Sequence, residues 1–563
     1  MTTTQERSNT HPRRNHSRWY WILNHIDLLA FGLAPIVFIL GAIGFQKALG
    51  DGASWWDSAY YSLRLFMFEC DVDPGSKKAW YLILAQWIAP LPLAAGIVRL
   101  CRTLLNQELW LSRARRQKNH AIICGLGRRG EWIAKSIARH GQSVLAVEIQ
   151  EHHDAINEIR EAGAVAICGD ARDLSLMREA GIDRARQVIV VTGSDQVNLS
   201  IAQEIRKHLG SSRQKPEIIV ALEAYETRSY FTDRLSGMGI RVVGFISQAA
   251  LLLARKMTLQ LIDTMGPIPT RPPVVAIEAT SILSDELIRA FACMLQISGD
   301  DRPIIHVCSA QDEDEKRFRR YFPACNLAID IRWSSKPADD LFAESEGGQP
   351  DVVIFGRQPD MSSLEAADRF LIRHPLDPSR VVACILDTGD LYELCLQQSD
   401  KRTPAVLSLF AIGMETGGDQ DPFNSTLERT AREIHENYQK SSPKAPSWER
   451  LSEFKRNSNR HAVLHVEIKR AVWRKQGTRT KEEILGHLTR SEHMRWMAFN
   501  TMDGWRYAPI EEQDPDHRLH PCLRPFNELN MHDKRKDAEN VFHALELPIE
   551  TSIPEIADSS LER

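Results

Sequence analysis

The chain has 563 residues, room for about three or four domains at roughly 150 residues each. With 43% hydrophobic and 26% charged residues it can bury real cores, and a net charge of -4 gives no reason to expect a nucleic-acid partner. Ten cysteines lie between Cys70 and Cys522 without one CxxC pair, which excludes a disulfide frame or a zinc site and reads as reduced thiols in a cytosolic body.

A basic arm, 1–18, leads into the first of two apolar segments. Residues 28–45 and 79–98 carry no charge over 18 and 20 positions, and a membrane-spanning helix takes about 20 such residues. Trp19, Tyr20, Trp21, Trp80 and Tyr81 sit at the segment edges, where amphipathic rings favour the headgroup level. Pro35, Pro90 and Pro92 are tolerated in lipid. Arg13, Arg14 and Arg18 before the first segment, and Arg99, Arg102 and Arg113 after the second, place both ends on the cytoplasmic side of the inner (plasma) membrane. Residues 19–104 are therefore expected to form a two-span α-helical membrane module.

Between the spans lies SWWDSAYYSLRLFMFECDVDP, residues 54–74. It is apolar and aromatic, has Ser54 and Asp57 as candidate caps, and is too short to cross, so a re-entrant helix is expected. The wording WWDSAYYS resembles the pore helices of two-span potassium channels. That resemblance implies a TVGYG-type filter next, whose carbonyls replace an ion's water shell. Here the chain instead reads Phe66-Met67-Phe68-Glu69-Cys70-Asp71-Val72-Asp73, with no glycine. Two readings stay open: a pore without a potassium filter, with Glu69, Asp71 and Asp73 ringing its outer mouth, or an inactive anchor with solvated acids. A pore-loop plan implies a ring of subunits, most plausibly a homotetramer.

A linker, 105–118, precedes AIICGLGRRGEWIAKSIARHGQSVLAVEIQ. A β-branched run meets Gly125-x-Gly127-x-x-Gly130, then an amphipathic helix, then a second strand ending at Glu148. Gly125 permits the tight turn, Gly127 lets a pyrophosphate approach the backbone, and Gly130 lets helix and strand pack closely. The helix N-terminus offers free N–H groups. Glu148 stands where a carboxylate meets ribose hydroxyls. With Gly169-Asp170-Ala171 and VIVVTGSDQVNL (188–199), the segment resembles the TrkA-N, or RCK, regulatory domain, expected over 119–265. The resemblance implies NAD or another adenine nucleotide, held as a ligand rather than a redox cofactor, in rings or dimers. By position, Gly125, Gly127, Arg128, Arg129 and Gly130 would line the phosphates, Glu148 the ribose, and Asp170, Ala171 and Thr192 the base. Arg128 and Arg129 fit extra phosphate or a solvated basic turn equally.

GPIPTRPP, 266–273, marks a stiff boundary. Beyond it PIIHVC, LAIDI, DVVIF, VVACILD and AVLSLF alternate with helical runs, which predicts a second Rossmann-like α/β domain over 272–415 without a glycine fingerprint. Residues 424–548 hold Glu492-His493-x-Arg495-Trp496, Gly504-Trp505-x-Tyr507, His520-Pro521-x-Leu523-x-Pro525 and Lys534-x-x-Asp537. They resemble the ryanodine-receptor (RyR) domain and imply a mainly α fold, followed by a tail, 549–563. Trp496, Trp505 and Tyr507 fit base stacking, and Arg495 and Lys534 fit phosphate, while packing in the core is the plainer role for each tryptophan. His435-Glu436 does not complete HExxH, because position 439 is Gln. With no Walker A loop and no GxSxG elbow, a non-enzyme is expected.

The expected architecture is multidomain: the two-span module with its pore-loop-like segment, a Rossmann-like RCK domain, a second α/β domain and a mainly α RyR domain. The expected function is a nucleotide-sensing, ligand-gated membrane effector or ion channel. The RyR resemblance associates it with prokaryotic antiphage signalling and a nucleotide second messenger. The alternatives are a potassium channel or transport protein regulated by NAD or ATP, and a membrane-tethered NAD-dependent enzyme.

Overall fold

The computed structural model describes residues 17–50, 54–67, 69, 80–150, 154–210, 216–343, 349–385, 404–408, 425–441, 445–475 and 477–546. The chain divides into two compact units, Met1–Arg113 and Ala114–Arg563.

In the first unit a long helix, Ser17–Leu49, carries the short helix Trp55–Leu65 and the helix Trp80–Ile88. Ser54 is the cap of the short helix, its Oγ accepting the Trp56 N–H at 3.3 Å. Close approach explains the small residues: a Cβ on Gly41 would lie 2.3 Å from Ser62 Oγ. Ser62 Oγ donates to the Phe38 carbonyl and Ser58 Oγ to Gln46 Oε1, each at 2.7 Å. Both serines are fully buried, whereas Trp56 and Trp87 are 79% and 78% exposed. Polar serines are thus buried beside Val37, Phe45, Leu65 and Leu82, while several large apolar side chains face outward.

The structure bears on three expectations for this unit. The second apolar segment is not one helix: it breaks at Ala89 into Trp80–Ile88 and Pro90–Arg116. Pro90 and Pro92 supply no N–H, and their rings press on the preceding turn. Among the described residues no helix is long and apolar enough to cross a membrane. Of the expected mouth acids, Asp71 and Asp73 lie outside the described residues, and Glu69 is ion-paired with Arg64 (Oε2 to Nη2, 2.7 Å) rather than a free charge.

The second unit holds two six-stranded sheets, parallel throughout. The first comprises β1 (Ala121–Cys124), β2 (Val144–Glu148), β3 (Val165–Cys168), β4 (Gln187–Val190), β5 (Glu217–Ala221) and β6 (Ile240–Val243), in the order β3-β2-β1-β4-β5-β6. β1 and β2 are buried along their whole length, because helices cover both faces of such a sheet. Register pairs Ala121 with Val144 on one side and with Gln187 on the other. The second comprises β7 (Val274–Ala279), β8 (Ile304–Val307), β9 (Asp330–Trp333), β10 (Val352–Gly356), β11 (Val381–Ile385) and β12 (Ala405–Ser408), in the order β12-β11-β10-β7-β8-β9. Read from its other edge, this is the same winding as the first sheet. Both are doubly wound, as the alternating apolar runs predict.

Among the described residues four α-helices follow: Ser425–Ser441, Glu453–Arg474, Lys481–Thr501 and Met531–Leu545. Ile468, Met497 and Val541 from these helices join Met257 and Phe291, from helices Phe245–Met265 and Ser281–Met294, in one buried cluster. The C-terminal helices therefore share their principal core with the α/β part.

Candidate functional site

In an open parallel sheet, ligands bind beyond the carboxyl ends of the strands where the winding reverses. In the first sheet that point lies between β1 and β4, and the glycine turn stands there. Gly125 has φ +98°, a backbone region that L side chains rarely adopt, and a Cβ on it would lie 3.0 Å from Thr192 Cα. A Cβ on Gly130 would lie 1.8 Å from the Gly125 carbonyl oxygen, so only glycine lets helix Arg128–Arg139 start this close to the strand. Gly127 differs from both. It is the N-cap of that helix with φ −58°, no side chain caps the helix, and a Cβ there would meet nothing within 4 Å. The turn thus presents uncapped N–H groups toward open space, the arrangement that receives a phosphate.

Glu148, 7% exposed, ends β2 beside this turn. Its Oε2 accepts the Leu126 N–H at 2.6 Å and its Oε1 the Gln150 N–H at 3.1 Å. A carboxylate has about four lone-pair sites, so Glu148 braces the turn and retains acceptors for a ribose. The Gly169 N–H donates to the Glu148 carbonyl at 2.8 Å, which sets Asp170 and Ala171 next along the same sheet edge. Asp170 is held by Arg172 (Oδ2 to Nη2, 2.7 Å), which keeps its carboxyl below the ordinary value, and Ala171 is buried. Thr192 donates from its N–H and its Oγ1 to Asn198 Oδ1 at 2.8 and 2.6 Å.

Sequence reasoning missed Asn198. It is 1% exposed, and its Nδ2 donates to the Ala221 carbonyl at 2.9 Å, tying the end of β4 to the end of β5. The signal was present: an asparagine within VIVVTGSDQVNL, at a position inside a helix that otherwise packs apolar residues. The two arginines of the turn separate. Arg128 is exposed. Arg129 pairs with Glu223 (Nη1 to Oε1, 2.7 Å), and Glu223 Oε2 also accepts the Ile246 N–H, so Arg129 ties the turn to a neighbouring helix start.

Of the residues expected to bind in the C-terminal helices, Trp496 and Trp505 meet at one ring, that of His520, with centroids 5.0 and 6.2 Å away, whereas Arg495 lies in the core. Arg495 is 2% exposed and meets Glu492 through two contacts, Nε to Oε2 at 2.9 Å and Nη2 to Oε1 at 2.8 Å. Lys469 Nζ joins the same carboxylate at 2.7 Å. Burial pushes the Glu492 carboxyl up, but Arg495 and Lys469 outweigh it and hold the group well below its ordinary value. Arg495 is therefore part of a buried ion triad and is not presented to a ligand. Trp496 stacks on His493, with ring centroids 6.0 Å apart, and meets His520 edge-on. Trp505 stacks on Phe454 at 5.3 Å. Tyr507 is exposed, and Lys534 lies 5.4 Å from the Phe526 ring and donates to the Asn527 carbonyl. The two tryptophans thus belong to one aromatic cluster, while Tyr507 lies on the surface.

Fold and turn together define a Rossmann-type nucleotide crevice. Comparison with known proteins agrees with that class: residues 121–243 match the TrkA-N domain. Two similar relatives are the Ktr system potassium uptake protein C of Bacillus subtilis (strain 168), 34% identical over 94 residues, and the glutathione-regulated potassium-efflux system protein KefC of Escherichia fergusonii, 22% identical over 195 residues. The matched stretches cover 17% and 34% of this chain and 41% and 30% of those proteins, so the chain spans less than half the length of either. Among solved structures, the GsuK structure bound to ADP aligns with 70% of this chain and 98% of its own at 14% identity and a TM-score of 0.36, too low to carry an argument.

Proposed function

We propose that this chain regulates potassium passage across a membrane in response to NAD or another adenine nucleotide, which it binds at the glycine turn and leaves chemically unchanged. The observation that carries this reading is the open, uncapped helix start at Gly127 beside the braced carboxylate of Glu148, inside the stretch that matches TrkA-N. The potassium-transport relatives favour this reading over a non-selective membrane effector. The exposed apolar surface of the first unit, with Ile36 54% and Trp87 78% exposed, supports a lipid-facing module, because soluble monomers rarely leave such surface in water. In this reading both termini are cytoplasmic, the subunits form a homotetrameric ring, and the C-terminal helices are an RyR-type module that relays the signal. A nucleotide shifts the equilibrium only through tighter binding to one state.

The test pairs calorimetry of the full chain with NAD, ATP and ADP against potassium flux into liposomes with and without each nucleotide. Binding by one of them, a nucleotide-dependent flux, and chromatographic recovery of the nucleotide intact are the expected results. Absence of binding to all three, or steady conversion of NAD, overturns the proposal.

A further inference from the structure

A second cavity, of ≈ 230 Å³, lies where three parts of the second unit meet: the helix Tyr225–Gly237 with the end of β6, the helix Ser281–Met294, and the helices Glu453–Arg474 and Lys481–Thr501. None of the glycine-turn residues lines it. We propose that it binds a small zwitterion with an apolar body, of the α-amino-acid class, as an effector distinct from the nucleotide. This goes beyond the function proposed above and does not depend on it.

Size is the first argument. The volume falls below the roughly 300–1,000 Å³ usual for drug-sized ligands, which favours a small ligand. Charge is the second. Five arginines and five carboxylates line the cavity, and several of them are joined in ion clusters. On one side Glu286, 2% exposed, holds both Arg228 and Arg289, the latter at 2.9 Å. On another, Arg460 meets Glu428 at 2.7 Å and also Glu453. A net anion would face five carboxylates and a net cation five guanidinium groups. A molecule bearing one charge of each sign matches a lining with as many guanidinium groups as carboxylates, by sharing the existing pairs rather than meeting an unpaired charge.

The third argument is the space between those pairs. His461 lies close enough to Arg289, Arg460 and Glu286 to feel all three. Burial, with the arginines, pushes its imidazole down to about 3, so the ring is neutral. Its Nδ1 is buried without a hydrogen-bond partner although the ring lines the cavity. Nδ1 is sealed from the cavity as the ring stands, and a ligand that turns the ring to reach it would relieve the cost of an unpartnered buried nitrogen. Leu252, Leu464 and Phe499 supply apolar wall for a side chain. Because the lining comes from both α/β parts and the C-terminal helices, occupancy ties the three together.

The experiment titrates the full-length protein in detergent, by calorimetry, with each common L-amino acid, and then with the N-acetyl and the amide forms of any that bind. At least one free amino acid is expected to bind, and masking either charge is expected to weaken it about tenfold or more. Gln248→Trp, which fills the cavity from a position outside the ion pairs, is expected to abolish amino-acid binding and leave NAD binding intact. His461→Phe keeps the ring, removes the nitrogen and is expected to weaken binding. Gly127→Asp is expected to leave amino-acid binding untouched, which separates failure of this proposal from failure of the nucleotide reading. No binding by any free amino acid, equal binding by the masked forms, or unaltered binding in Gln248→Trp overturns the proposal.

Discussion

Replacing Gly130 by alanine tests the glycine turn most directly. The new methyl carbon would stand 1.8 Å from the Gly125 carbonyl oxygen and 2.8 Å from its carbonyl carbon, both backbone atoms. Reaching the shortest separation real contacts show, 3.0 Å, requires backbone movement of more than an ångström. Gly125 cannot yield freely: it sits at φ +98°, and its N–H donates to the Val147 carbonyl at 2.9 Å. Overpacking of this kind costs about 1–3 kcal/mol, and a backbone collision belongs at the upper end. Gly127→Ala is the control, because a Cβ there meets nothing within 4 Å and φ is −58°. It should change stability by no more than about 0.5 kcal/mol, yet place a methyl where a pyrophosphate approaches. Hydrogen exchange over 121–148, with nucleotide titration on the same samples, separates the two. The expectation is faster exchange and lost binding for Gly130→Ala, against unchanged exchange and weakened binding for Gly127→Ala. Equal exchange in both variants, or greater destabilisation by Gly127→Ala, would refute the assigned roles.

Three further outcomes follow from the same geometry. Glu492→Gln leaves Lys469 and Arg495 buried without a full counter-charge and should cost about 3–5 kcal/mol in urea unfolding; a loss below about 1 kcal/mol would show that the triad relaxes into water. His493 faces oxygen acceptors from both ring nitrogens, Asp537 Oδ2 at 3.1 Å and the Arg524 carbonyl at 2.8 Å; burial pulls its imidazole down, but these contacts outweigh it and raise it above the ordinary 6.5. The stabilisation is thus complete below about 6.5 and is lost as pH rises through the higher folded value, so thermal melts should fall across that window, and Asp537→Asn should flatten the dependence. Asn198→Ala strands the Thr192 N–H and the Ala221 carbonyl and should cost about 1–3 kcal/mol with weaker nucleotide binding, read by melting and calorimetry.

Most strands were legible as short apolar runs bounded by turn residues, and the glycine spacing marked the crevice, whereas β5 and β7 were not among the runs read. What the sequence hid was where long side chains go. Arg129 reads as a phosphate ligand from its place in the turn, yet Glu223, 94 positions later, takes it. Arg495 reads as a surface cation, but the core of the C-terminal helices closes over it once Glu492 and Lys469 neutralise it. Local spacing cannot show either partner. The break at Ala89 was readable in Pro90 and Pro92, but hydropathy averaged over 79–98 conceals it.

The second sheet explains why one crevice is offered to a ligand and the other is not. Its winding matches the first, so β7 stands where β1 stands and its carboxyl end should also open a crevice. In place of a glycine turn the chain puts Glu278 near the end of β7, 2% exposed. Its Oε1 accepts from Ser309 Oγ at 2.9 Å and pairs with Arg357, while its Oε2 accepts the Ala338 N–H at 2.8 Å. Those partners follow β8, β10 and β9, so one carboxylate gathers three connections over the mouth of the fold. A buried carboxylate is stable only with its lone pairs filled, and here the protein itself fills them. The same winding therefore yields a receptive turn in one half and, in the other, a closed knot whose helix Ser281–Met294 is free to form the wall of the zwitterion cavity.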